Sequence, residues 1–319
     1  MRASDLAVAV MLVASLLRPA AVAAQCVASP LGPGAPTALV FSGGGAKGAY
    51  EAGVAVALVE RGVAVRVAAG SSAGALNATA VADGRLDRLE ALWRSVSREQ
   101  VYALRPGVLF AGLLPGWLTL LALDEAGSLL DARPLRSLIA GVVDLDRVRA
   151  SPVALRVVAT DLERRMARVF DNRTVTVDAL VAASAVPGLF SPVTVEGAVL
   201  VDGGVVARAP VLEALDGRVP LTRVLVVQSY AAAERGQPPT TLRGLLEEAF
   251  ETAMVHQIRR DVELARLKHP AVEVQLLAPT SPLLLRPLDF DGPALGRAFE
   301  QGRADALACV GRWGGGEAR

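Results

Sequence analysis

The amino-acid sequence predicts an α/β layered fold with a mainly parallel sheet covered on both faces. Strand-length apolar runs alternate with helical patterns along the chain. Most of those runs are apolar throughout rather than alternating, as strands buried on both faces are. At 319 residues, 52% of them apolar, the chain is long enough for one large core.

The elements follow in order. Residues 1–24 carry one early cation, an apolar stretch from Leu6 to Leu17 and small residues ending at Ala24, the layout of a secretory signal peptide cleaved after Ala24. The stretch falls short of the about 20 apolar residues a bilayer span needs, and a retained N-terminal membrane anchor is the alternative. Lipidation at Cys26 is disfavoured by Gln25, where a small residue belongs. Residues 25–36 read as a linker rich in Gly and Pro, 37–312 as one domain and 313–319 as a tail. TALVF (37–41) reads as a buried strand. A helix over 46–62 stops at Gly62, and VAVRVAAG (63–70) is a second strand. Helices over 73–82 and 86–96 follow. Further strands are expected at 153–160, 167–170, 198–202, 223–230 and 272–278, with helices between them, among them 241–268 and 293–310.

Composition removes several function classes. The net charge is +1 and no basic stripe carries interleaved aromatics, so no nucleic-acid partner is expected. Cys26 and Cys309 stand at no metal-ligand spacing, and no metal or cofactor is expected. Export would allow the two to form a disulfide, and two unpaired small hydrophobes are the other possibility.

Three glycine-rich corners each follow a strand, on the side where open α/β sheets place ligands. GSSAG (70–74) sets Ser72 in a strand-to-helix turn whose glycines avoid neighbouring strands, at a helix N-terminus that favours negative charge on a reacting oxygen. SGGGAKG (42–48) formally contains GxGxxG, yet the second strand lacks an acid for a ribose, and no Ser or Thr follows Lys47 as a P-loop requires. Successive amides of Gly43, Gly44 and Gly45 suit a small oxyanion, with Lys47 nearby. VDGG (201–204) ends a strand on Asp202, whose carboxylate could take a serine proton directly, given desolvation and a good oxyanion hole. His256 and His269, the two histidines, fit solvated or capping roles. Asp161 is the rival acid and fits a structural or capping role.

Together the corners resemble the patatin-like phospholipases: FSGGGAKGAYEAG looks like that family's oxyanion loop, GSSAG like its nucleophile elbow and VDGG like its catalytic-aspartate motif. SLLDARPLRSLI (128–139), VVATDLE (157–163) and ASAVPGLFSPV (183–193) stand in the family's order. The resemblance implies a three-layer α/β/α sandwich related to the α/β-hydrolases. It also implies a Ser72–Asp202 dyad that cleaves acyl esters of lipids or phospholipids without histidine or metal. Gly43, Gly44 and Gly45 would form the oxyanion hole, Lys47 and Ala73 would support it, and the enzyme would touch a membrane surface transiently. The family often has asparagine where Arg208 stands. An apolar stretch broken by Pro and Gly (101–123) reads either as a cap over the site or as core. A short-chain esterase or thioesterase, an idle lipid-binding protein and a nucleotide module on GGGAKG remain the rival readings. Headgroup, acyl position and any protein activator are left open.

Overall fold

The structure, a computed structural model, describes residues 26–111, 127–216, 219–231 and 238–314. The signal-peptide segment 1–24 lies outside the described residues, as does most of the apolar stretch 101–123. No described helix is long and apolar enough to cross a membrane.

Strand β1 (Thr37–Phe41) leads through a glycine loop and a 3-10 turn (Gly45–Lys47) into α1 (Gly48–Glu60). Strand β2 (Val65–Gly70) leads into α2 (Ala73–Asp83), and α3 (Leu86–Ser95) follows. The middle of the chain builds β3 (Ala154–Asp161), β4 (Met166–Phe170), α4 (Val177–Ala183), β5 (Val193–Val195) and β6 (Ala198–Asp202). The last third builds β7 (Arg223–Val227), α5 (Leu242–Lys268), β8 (Glu273–Leu277) and α6 (Gly292–Val310). Side-chain oxygens cap the late helices: Thr241 accepts from the Gly244 amide at 3.1 Å and Asp291 from Ala294 at 3.1 Å. Glycine in the left-handed region ends α2 at Gly84 (φ 75°).

The sheet runs β8-β7-β1-β2-β3-β6-β5, with β4 on the other edge of β3. From β8 to β3 every pairing is parallel, and β4, β5 and β6 pair antiparallel. Both faces of the parallel strands are covered, which is why none of them carries a fully exposed polar face. Leu39 and Phe41 of β1 and Leu225 and Val227 of β7 pack with α1, α2 and α6; Ala38, Val40, Val224 and Val226 pack on the other side with Ile258 and Val262 of α5. Helices α1 and α6 approach closely because Gly53 and Gly302 face backbone carbonyls of Phe299 and Tyr50, where any Cβ would collide.

The parallel core and helix order match the expected three-layer sandwich. Two boundaries differ. Residues 26–36 are packed against the domain: Cys26 is bonded to Cys309 with the Cα atoms 5.4 Å apart, and the Arg223 guanidinium donates to the Leu31 carbonyl at 2.6 Å and the Ser29 hydroxyl at 2.9 Å. The expected tail begins inside the domain. Trp313 is buried, lies 3.7 Å from the same guanidinium, and the Gly314 amide donates to Ser29 at 2.8 Å.

Candidate active site

Strand register brings the three corners together. Phe41 and Gly70 are partners, so the glycine loop after β1 and the turn after β2 leave the sheet side by side. Strand β3 is longer than β2. Its first half pairs with β2 up to Gly70 opposite Val157, and its second half pairs with β6, with Asp202 opposite Ala159. Because Val157 through Asp161 use their other edge for β4, β2 and β6 lie on the same edge and meet end to end. An antiparallel strand thus delivers Asp202 to the carboxyl end of a parallel one. A Cβ on Gly203 would collide with the Val158 carbonyl and stand 2.9 Å from the Ser71 Cβ, so only glycine lets these loops touch.

Main-chain bonds fix both residues. The Ser72 amide donates to the Ala183 carbonyl at 2.9 Å and the Asp202 amide to the Ala185 carbonyl at 2.9 Å. Ser72 occupies φ 55°, ψ −136°, a region that costs a non-glycine residue about 1–3 kcal/mol and persists where the surroundings enforce it. Ser72 and Asp202 are buried, at 6% and 2% exposure. One Asp202 oxygen, Oδ1, accepts from the Gly204 amide at 2.7 Å. Oδ2 is enclosed and has no hydrogen bond of ordinary geometry among the described residues, while the Ser72 hydroxyl makes a looser contact with the carboxylate. Burial pushes the Asp202 carboxyl above the ordinary aspartate value, against the pull of the Arg208 guanidinium, the Gly204 amide and the Ser72 hydroxyl.

The glycine loop is held from below. Glu51 of α1 is fully buried and accepts from the Ser42 hydroxyl at 2.9 Å, the Gly43 amide at 2.8 Å and the Asn77 side-chain amide at 3.3 Å. Burial raises its carboxyl to about 7, against these bonds and the charge of Arg208. The Gly43 amide is therefore spent on Glu51. Among the described residues the amides of Gly44 and Gly45 have no acceptor, nor does that of Ala73 at the start of α2. The Ser229 hydroxyl donates to the Gly43 carbonyl at 2.5 Å, and the Ala46 amide donates to the Pro287 carbonyl at 2.8 Å. Lys47 is buried rather than solvated. Its Nζ lies 3.3 Å from Glu251 and 4.0 Å from the Tyr230 ring centre, which ties the loop to α5.

His256 is exposed on α5 and His269 caps its end; neither bonds Ser72 or Asp202. Asp161 accepts from the amides of Glu163 and Arg164 at 3.1 and 2.9 Å and pairs with the Arg164 guanidinium, so it closes a turn. Sequence reasoning missed Glu51, for which the available signal was a lone carboxylate inside the otherwise apolar helix GAYEAGVAVALVE.

A family model described as Patatin-like phospholipase matches residues 39–215, over half of the chain, and the match contains the glycine loop, Ser72 and Asp202. Uncharacterized NTE family proteins of Mycobacterium bovis and Mycobacterium tuberculosis are 34% identical over 175 residues. The shared stretch is 54% of this chain, and the chain spans 44% of the length of those relatives. Among solved structures, VipD from Legionella pneumophila is similar at TM-score 0.47 and 15% identity, covering 88% of this chain and 67% of that one. The ExoU–SpcU complex from the type III secretion system of Pseudomonas aeruginosa is similar at TM-score 0.36 and 17% identity, covering 89% and 53%.

Proposed function

As the chain belongs to the patatin-like phospholipase family, we propose that it is a serine acyl hydrolase that cleaves fatty-acyl esters of lipids through Ser72 and Asp202. Ser72 Oγ attacks the ester carbonyl carbon while Asp202 Oδ2 accepts the hydroxyl proton, and the carbonyl oxygen becomes the oxyanion. The amides of Gly44 and Gly45 receive that oxygen, with the Ala73 amide at the head of α2 beside them. Collapse of the tetrahedral intermediate breaks the bond to the alcohol, which leaves with the proton from Asp202. Water then gives a proton to Asp202 and attacks the acyl-serine, and the returning proton restores Ser72 as the fatty acid departs.

The observation that carries this reading is the end-to-end meeting of β2 and β6, which sets an otherwise unpartnered carboxylate oxygen against a strained, buried serine. Burial supports Asp202 as base, since it raises proton affinity above that of an ordinary aspartate. The contact with lipid is assigned to Leu284, 94% exposed at φ 44°, three residues before the Pro287 carbonyl that holds the glycine loop. The Cys26–Cys309 bridge supports folding in an oxidising compartment, in keeping with export.

The test is labelling with a fluorophosphonate probe, followed by peptide mapping and by hydrolysis of micellar phospholipid. Labelling at Ser72, lost in Ser72→Ala and weakened strongly in Asp202→Asn, is expected. Hydrolysis should fall by roughly 10⁴-fold in each variant, the scale of losing a member of a nucleophile–base unit. Retained hydrolysis in Ser72→Ala, or labelling that depends on His256, overturns the reading.

A further inference from the structure

Arg208 is a buried cation whose donors are unspent. It is 4% exposed, and the bonds it makes are those of its main chain: the amide donates to Gln257 Oε1 at 3.1 Å, and the carbonyl accepts from the Ser71 hydroxyl at 2.6 Å. Nε is fully enclosed without a partner, and among the described residues no side-chain nitrogen of Arg208 has an acceptor or an ion pair. A guanidinium carries five N–H donors; the one on Nε is buried unpaired, which is costly, while Nη1 and Nη2 are not fully enclosed. Lys47, the neighbouring cation, is committed to Glu251 and Tyr230.

The position of the fork is specific. Nη2 is 3.4 Å from where a Cβ on Gly44 would stand, and Nη1 is 3.2 Å from the same point on Gly204. The guanidinium therefore lies between the amide loop and the aspartate loop. It is held there by its main chain and by Gln257, which also donates to the Val206 carbonyl at 2.8 Å. Its charge is felt by Asp202 and Glu51, yet both carboxylates take their hydrogen bonds elsewhere. A rigid planar fork with open donors between these two loops matches a doubly oxygenated anion.

We propose that Arg208 binds the phosphodiester oxygens of the substrate, so that the enzyme favours acyl esters with a phosphate a few bonds from the scissile carbonyl over neutral glycerides. The inference rests on the Ser72–Asp202 reading and deepens it. Free phosphate offers the same oxygens and should occupy the fork as well.

The experiment compares wild type with Arg208→Gln and Arg208→Lys on phosphatidylglycerol and on diacylglycerol of identical acyl chains in mixed micelles. It also measures inorganic phosphate binding by calorimetry. A charge-assisted hydrogen bond contributes about 1.5–3 kcal/mol, so Arg208→Gln should lower the phospholipid-to-diacylglycerol ratio of kcat/KM by roughly 10- to 100-fold. Arg208→Lys should restore part of it, and phosphate should bind wild type and not Arg208→Gln. Equal losses on both esters overturn the proposal, as does phosphate binding that survives Arg208→Gln or a fork that binds a fatty-acid carboxylate but not phosphate. Phosphate binding is read without turnover, so absence of Ser72-dependent hydrolysis would end the functional reading while the fork is still judged by calorimetry. If Arg208→Gln does not fold, the Lys variant carries the same comparison.

Discussion

Glu51 gives the site a pH-dependent strain that Glu51→Gln should remove. Burial raises its carboxyl from 4.5 to about 7, which at 1.36 kcal/mol per pH unit corresponds to about 3 kcal/mol. The native state holds the proton more tightly than the unfolded chain. That contribution is fully present below pH 4.5 and is lost as pH rises through about 7, where both states carry the charge and the fold bears its burial. Glutamine never ionises. Its Oε1 can still accept from the Ser42 hydroxyl and the Gly43 amide, but its NH₂ faces the Asn77 amide that now donates to Oε2, an offset of about 1–2 kcal/mol at every pH. The variant should therefore be less stable than wild type by about 1–2 kcal/mol at pH 4.5 and more stable by a similar amount at pH 8, once the about 3 kcal/mol is added. Urea unfolding of both proteins at intervals across that range measures the difference directly, and other titrating groups cancel in the subtraction. A difference that stays constant with pH would refute the reasoning, because it would mean that the ionised carboxylate is fully compensated in place.

Four further outcomes follow from the same geometry. Hydrolysis should rise with pH through the ionisation of Asp202, which must be unprotonated to act as base, and Arg208→Gln should move that rise to higher pH by removing the charge that opposes burial; a pH-rate profile that does not move counts against it. Cys309→Ser opens a bridge between positions 283 residues apart, for which the chain-entropy model gives up to about 5 kcal/mol; an unchanged thermal midpoint would show that the bridge does not restrain the unfolded chain. Gly45→Ala puts a Cβ into the Pro287 carbonyl at φ 60°, so the loop must move, and both kcat and the melting midpoint should fall; an unchanged kcat counts against the oxyanion role of this loop. Leu284→Glu should weaken sedimentation with phospholipid vesicles by about tenfold or more, the scale of one exposed leucine entering an apolar phase, and leave hydrolysis of a soluble ester in place.

The three corners were legible because glycine punctuation follows apolar runs whose burial on both faces leaves no other pattern. Ser72, Asp202 and the loop 43–45 stood out in that way, and strand and helix positions agree to within a few residues, apart from 223–230, where β7 ends at Val227 and Gln228 turns away. Other features depend on contacts far apart in sequence. The reversal of β6 cannot be read from AVLVD, since an apolar strand looks the same in either direction. Helix α1 is buried on every side, so Glu51 interrupts no polar face and its partners Ser42, Gly43 and Asn77 come from two other elements. Residues 26–36 resemble a linker until Arg223 and Cys309 are seen to hold them.

The carbonyls of Ala183 and Ala185 sit two residues apart, and one accepts from the Ser72 amide while the other accepts from the Asp202 amide. Any shift of this short stretch moves hydroxyl and carboxyl in concert, as two pendants on one rail, so their spacing outlasts displacements that would separate groups hung from independent strands.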